Sequence, residues 1–149
     1  MNMKKSIILD IVCYLFIALF CYAAASKLAT YELFKAQIGK SPLITHYVKW
    51  ISWMVPVSEF ILSAGLLIPK TRLLALYGSF TIMTMFTLYI AFILTFSPYV
   101  PCSCGGVLNN LGWTEHMIFN IAFMCLAIVG IYLDNKVREA ETFFSSLAA

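Results

Sequence analysis

Two cysteines one residue apart, Cys102 and Cys104, stand in the run Pro101-Cys102-Ser103-Cys104-Gly105-Gly106. A disulfide between such near neighbours closes a very small loop, restrains little of the unfolded chain and makes a weak structural staple. Ordinary disulfide geometry wants Cα atoms roughly 4.4–6.8 Å apart, which this spacing reaches only with backbone strain. Strain eases reduction, which suits a redox shuttle. Gly105 and Gly106 relieve crowding and let a partner's backbone come close. Two rival readings stay open. The pair can hold a soft or borderline ion such as Cu(I) or Zn(II) together with His116, although no second Cys/His cluster completes a four-ligand set and no metal is expected. Alternatively the pair is exposed and has no catalytic duty.

Three other residues have types and positions that point to proton or charge chemistry. Glu59 lies midway between Trp50 and Ile68 in an apolar stretch. A carboxylate at that depth in a bilayer costs on the order of 2.5–3.5 kcal/mol on insertion scales, so it must be protonated, paired or facing a wet cavity. Lys27 is the expected partner, because its long stem reaches inward or outward; Tyr22 is a second candidate. The plain reading of Glu59 is a structural ion pair holding helices in register. His116 follows Cys104 by twelve residues, where it can lower a thiol pKa or relay a proton. Asn120, at i+4, shares its face and can orient it. The alternative is an interfacial histidine with a satisfied hydrogen bond. Glu115 and His46 read as interfacial polar groups, and Cys13, Cys21 and Cys125 as small apolar packing groups.

These residues must be positioned by helices in lipid. Of the 149 residues, 62% are hydrophobic and 11% charged, against roughly 45–50% and about 25% in soluble domains. From Leu73 through Thr114 there is no Asp, Glu, Lys or Arg. Disordered, collagen-like and disulfide-scaffold classes are excluded. The basic residues sit near segment ends, without the clustering of a nucleic-acid site. A bilayer core about 30 Å thick needs roughly 20 apolar residues per helix, and residues 7–25, 50–68, 73–96 and 114–133 qualify. The expectation is an all-α membrane protein: one domain over residues 1–149, an up-down bundle of four transmembrane helices.

With the N-terminus inside, Lys4, Lys5, Lys70, Arg72, Lys136 and Arg138 face the cytoplasm, and Lys27, Lys35, Lys40 and Lys49 lie outside. The basic majority places both termini in the cytoplasm. That puts Cys102 and Cys104 on the oxidising side. The start of the chain shares features with a cleavable signal, including Ala23-Ala24-Ala25, but Asp10 makes it untidy as one and it is read as the first span. Tyr31, Phe34 and Ile38 fall on one face of a short helix before Ser41-Pro42, predicting a segment lying apolar face down on the membrane surface. Pro56 either kinks the second helix or marks its start. Ser58, Ser63, Gly65, Gly78, Thr81, Thr84 and Thr87 read as small packing residues.

Ala23-Ala24-Ala25-Ser26-Lys27-Leu28 with Tyr31 and Phe34 resembles the end of the first helix of DoxX-like membrane proteins. Pro56-Val57-Ser58-Glu59, with Gly65 and Leu66-Leu67-Ile68, is similar to their Pro-x-x-Glu second helix. The Cys102-Ser103-Cys104-Gly105-Gly106 loop followed by Trp113 resembles the MauE, or methylamine-utilisation, branch, which is linked to disulfide formation in a periplasmic enzyme. The resemblance implies a redox-associated bundle in the bacterial inner membrane, working with thioredoxin-like or client proteins and a quinone. It carries a redox role to Cys102 and Cys104 and a core role to Lys27 and Glu59. The reading of function is thiol–disulfide exchange with electrons passed to a membrane quinone, His116, Glu59 and Lys27 managing protons. The alternative is a non-enzymatic assembly factor for a periplasmic enzyme or transporter; a carrier using Glu59 is a third reading. Association with itself or with another chain is left open.

Overall fold

The computed structural model describes residues 3–39, 45–96 and 113–147, and every element longer than one turn is an α-helix. The helices are α1 (Met3–Ala29), α2 (Tyr31–Gly39), α3 (Val48–Leu67), α4 (Arg72–Phe96) and α5 (Trp113–Leu147), with one 3-10 turn, Thr45–Tyr47, leading into α3. Among the described residues, α1, α3, α4 and α5 are long and apolar enough to cross a membrane. At 20 residues, α3 spans about 30 Å, the thickness of the hydrocarbon core. The side chains turned outward are apolar: Trp50, Ile61, Leu74, Met85 and Leu88 are all more than 60% exposed. Water would not tolerate that surface, and lipid favours it.

The four long helices pack in the cyclic order α1, α3, α4, α5, with the α1–α3 and α4–α5 seams the most extensive. One end of the bundle carries the tight turn between α3 and α4; the other carries α2 and both ends of the connection from α4 to α5. We call these the hairpin end and the loop end. Interior packing rests on Phe16, Phe20, Leu66 and Leu76, all nearly inaccessible. Phe16 meets Phe123 edge-on, ring centroids 5.2 Å apart, joining α1 to α5. Gly130 lets α5 close on its neighbours: a Cβ there would stand 3.0 Å from Leu76 on α4 and 3.2 Å from Val12 on α1. The hydroxyls of Ser58, Ser63, Thr81, Thr84 and Thr87 bond back to carbonyls of their own helices. They are thereby satisfied without water, as a membrane interior requires.

Three details differ from the sequence expectation or refine it. α3 runs unbroken through Pro56, which is buried inside it. α5 continues well past residue 133, because Lys, Arg, Glu and Ala are good helix formers and a helix need not stop where its hydropathy does. Finally, Phe34 and Ile38 of α2 are buried against protein, so its apolar face turns onto the bundle. Tyr31 fastens it there, its hydroxyl 3.1 Å from Ser52 Oγ and its ring 5.4 Å from that of Trp53.

Candidate functional site

Lys27 and Glu59 meet inside the loop-end half of the bundle. Lys27 lies in the last turn of α1, and its Nζ donates to Glu59 Oε1 on α3 at 2.7 Å. The two side chains are 6% and 1% exposed. Taking two charges out of water is costly, and the mutual attraction offsets that cost only when the geometry is close and remaining polar atoms find partners. Part of that condition is met. The Lys27 ammonium also lies 3.5 Å from the Ala23 carbonyl, 6.0 Å from the Phe34 ring centre and 5.8 Å from that of Phe86. Phe34 belongs to α2, so the short helix covers the ammonium. The other carboxylate oxygen, Glu59 Oε2, is buried without a hydrogen-bond partner.

Next to the pair is a cavity of about 60 Å³, bounded by α1, α3, α4 and α5. His116 and Asn120, one turn apart on α5, are both buried and both line it. Asn120 Nδ2 is a second buried atom without a partner. Tyr22, from α1, stands on the wall as well. The remaining lining is largely apolar and aromatic, with Phe86 and Tyr89 from α4 and Phe119 from α5. Ala23 of α1, two turns on from Phe16, contributes only a methyl group to this wall. A space of this size has room for a few ordered waters. Chemically the site offers a charge pair of no net charge, an acceptor, an amide donor and an imidazole, within an apolar wall.

Lys27, Glu59, His116 and Asn120 are thus gathered from three helices. Cys102 and Cys104 lie outside the described residues; the segment holding them leaves α4 and rejoins α5 at the loop end. Cys13, Cys21 and Cys125 are free thiols, and Cys13 packs in the core. His46 is exposed, its ring 6.3 Å from that of Tyr47. Among the described residues no group of three His, Cys, Asp or Glu could hold a metal ion.

A second charged region, read in the sequence only as charges flanking the spans, pairs across helices. At the hairpin end, Arg72 Nη1 lies 3.1 Å from Asp10 Oδ1, tying the start of α4 to α1. Arg138 Nε donates to Asp134 Oδ2 at 2.6 Å, and its Nη2 to the Pro69 carbonyl at 2.7 Å. The i, i+4 spacing of Asp134 and Arg138 was a usable signal; their bond to a turn 69 residues away was not.

The family model of the methylamine utilisation protein MauE matches residues 5–133. Neither a curated protein nor a solved structure matches the chain significantly. The match reaches into all four apolar helices and covers most of the chain, so this multi-pass membrane protein belongs to the MauE family.

Proposed function

We propose that the protein is a membrane thiol–disulfide redox protein, working through Cys102 and Cys104 and passing electrons to a membrane quinone. It lies in the bacterial inner membrane with both termini cytoplasmic, and takes electrons from a periplasmic thioredoxin-like or client thiol. The observation that carries this reading is the buried Lys27, Glu59, His116 and Asn120 cluster. It sits at the end of the bundle from which the Cys-X-Cys segment is tethered. Cys102 comes six residues after Phe96, and His116 three after Trp113. The DoxX-like likeness rests on the Lys27 and Glu59 motifs alone.

A partner thiolate attacks one sulfur of the Cys102–Cys104 disulfide, breaking that bond and forming a mixed disulfide. The partner's second thiolate then attacks its own sulfur in the mixed bond. The partner leaves oxidised, and Cys102 and Cys104 hold two thiols. Re-forming their S–S bond releases two electrons and two protons. A quinone supplies, when bound, an acceptor for both pairs. The residues fit such a group: an unpartnered amide donor and carboxylate acceptor, both buried, face an aromatic wall. Lys27 holds Glu59 in place, and His116 stands at the loop end of the cavity, where protons from the thiols arrive.

Thiol trapping in native membranes tests the proposal. The Cys102–Cys104 pair should shift toward the dithiol when quinone is depleted and back when it is restored. Replacing both cysteines by serine should abolish exchange with a reduced thioredoxin-like protein. Undiminished exchange would overturn the redox reading and leave the assembly-factor alternative, in which both cysteines are dispensable.

A further inference from the structure

We infer that α2 is a hinged cover over the Lys27–Glu59 pair, and that its lifting lets water and protons reach the pair from the loop end. The inward face of α1 passes into α2 without a change of phase. Phe20, Ala24, Lys27, Tyr31, Phe34 and Ile38 recur at steps of three and four residues, and all but the half-buried Tyr31 are buried. A single residue, Thr30, separates the two helices, and the chain turns there. Helical bonding continues across that turn in part. Thr30 N–H donates to the Ser26 carbonyl at 3.1 Å, and Phe34 N–H to the Thr30 carbonyl at 2.9 Å. The Thr30 hydroxyl donates to the same Ser26 carbonyl at 2.9 Å, a back-bond of the kind that bends helices. Thus α2 is the end of α1 folded over at one residue, and a change of backbone angles at Thr30 swings it without unwinding either helix.

Little holds the cover down. Of α2, only Phe34 and Ile38 are buried, while Glu32, Leu33 and Ala36 face outward. A side-chain hydrogen bond adds to them. Ser52 Oγ gives its proton to the Lys49 carbonyl, so Tyr31 is the donor in its contact with Ser52. Water replaces that acceptor when α2 lifts, so the bond opposes opening only modestly. The pair beneath is sealed by comparison. Glu59 is 1% exposed, and the Phe34 ring lies over the Lys27 ammonium. A carboxylate enclosed to that degree exchanges no proton with bulk water until a wall moves. The other walls are helices of 20 residues or more, whereas α2 has nine, and elements with few buried contacts open first. The hinge lies three residues past Lys27, so lifting α2 uncovers the pair and leaves its bond intact. Use of this opening to deliver thiol protons rests on the redox reading above; the cover itself does not.

The test labels carboxyl groups of the full chain in nanodiscs with a water-soluble carbodiimide and glycinamide, read by mass spectrometry of the α3 peptide. Glu139, whose side chain is 66% exposed, is the internal reference. Phe34→Ala should raise the Glu59 labelling rate about tenfold or more, and Tyr31→Phe severalfold, with Glu139 unchanged. Arg138→Gln, which loosens the hairpin end, should leave the Glu59 rate where it was. A lock tests the reverse direction. A Cβ at Gly39 would stand 3.8 Å from Val48 Cγ2 at the start of α3. Gly39→Cys with Val48→Cys, in a chain whose Cys102 and Cys104 are serine, should slow Glu59 labelling when oxidised and restore it on reduction. Rates unchanged by Tyr31→Phe and by the lock overturn the inference, as does a rise in Arg138→Gln equal to that in Phe34→Ala. The lock keeps the test open should Phe34→Ala fail to fold. Labelling needs no thiol partner, so its failure removes the cover and leaves exchange at Cys102 and Cys104 standing. Labelling as expected without thiol exchange does the reverse.

Discussion

The two ends of the bundle both carry charge across helices, but they use it differently. At the hairpin end Arg72 and Arg138 reach Asp10, Asp134 and the Pro69 carbonyl, and the side chains of Asp10 and Arg138 are each more than a third exposed. Those bonds fasten the ends of α1, α3, α4 and α5 to one another beside solvent. At the loop end Lys27 and Glu59 are sealed, a cavity lies beside them, and two buried polar atoms are left over. One buried atom, Arg72 Nε, is left over at the hairpin end too, so what sets the loop end apart is the cavity beside its two spare polar atoms. Charge alone does not single out a candidate site in a membrane bundle; unspent polarity next to a cavity is the more selective mark.

The sharpest way to break this comparison is to remove one member of the sealed pair. Lys27→Met leaves the Glu59 carboxylate unpartnered in the interior and should cost about 3–5 kcal/mol of stability. Replacing both, as Lys27→Met with Glu59→Leu, should restore most of it. Thermal unfolding in detergent across the double-mutant cycle measures this, and simple additivity of the two single losses would contradict a buried pair. Next in size is Arg138→Gln, which strands the buried Asp134 carboxylate and frees the Pro69 carbonyl, at about 1–3 kcal/mol. Its signature should be faster amide exchange in the α3–α4 turn, with the loop end unchanged.

Smaller effects sharpen the contrast. Tyr31→Phe removes only the hydroxyl contact to Ser52 and should cost about 0.5–1.5 kcal/mol, seen as loosened protection of α2 by hydrogen exchange. Asp10→Asn breaks a half-exposed pair and should cost at most about 1 kcal/mol. That loss should shrink further in high salt, because exposed pairs are screened. The Lys27→Met penalty should stay nearly constant over the same salt range.

Much of the site was legible before the structure. Glu59 announces itself by its depth in an apolar run, Lys27 by its position at the end of the first span, and His116 with Asn120 by their i, i+4 spacing. Phe86 and Tyr89 were not legible, because an aromatic residue in a span carries no local mark of facing a cavity, a neighbour or lipid. What the apolar face of α2 packs on was not legible for a related reason. An apolar face is equally content on lipid or on protein, and the bond from Tyr31 to Ser52, 21 residues apart, settles which. The charged tail of α5 shows the converse, with hydropathy marking where a membrane ends but not where a helix does.

What the sequence determined by itself is the number of spans, their alternating direction and their approximate limits. Those follow from length and hydropathy, which are local properties read against the fixed thickness of a bilayer. What only the tertiary structure decided is which polar groups meet and where space is left. Both depend on the rotation of each helix about its axis, which is set by the packing of residues far apart in the chain. Phe16 of α1 meets Phe123 of α5, and Lys27 of α1 meets Glu59 of α3, only because packing turns each helix to present that side.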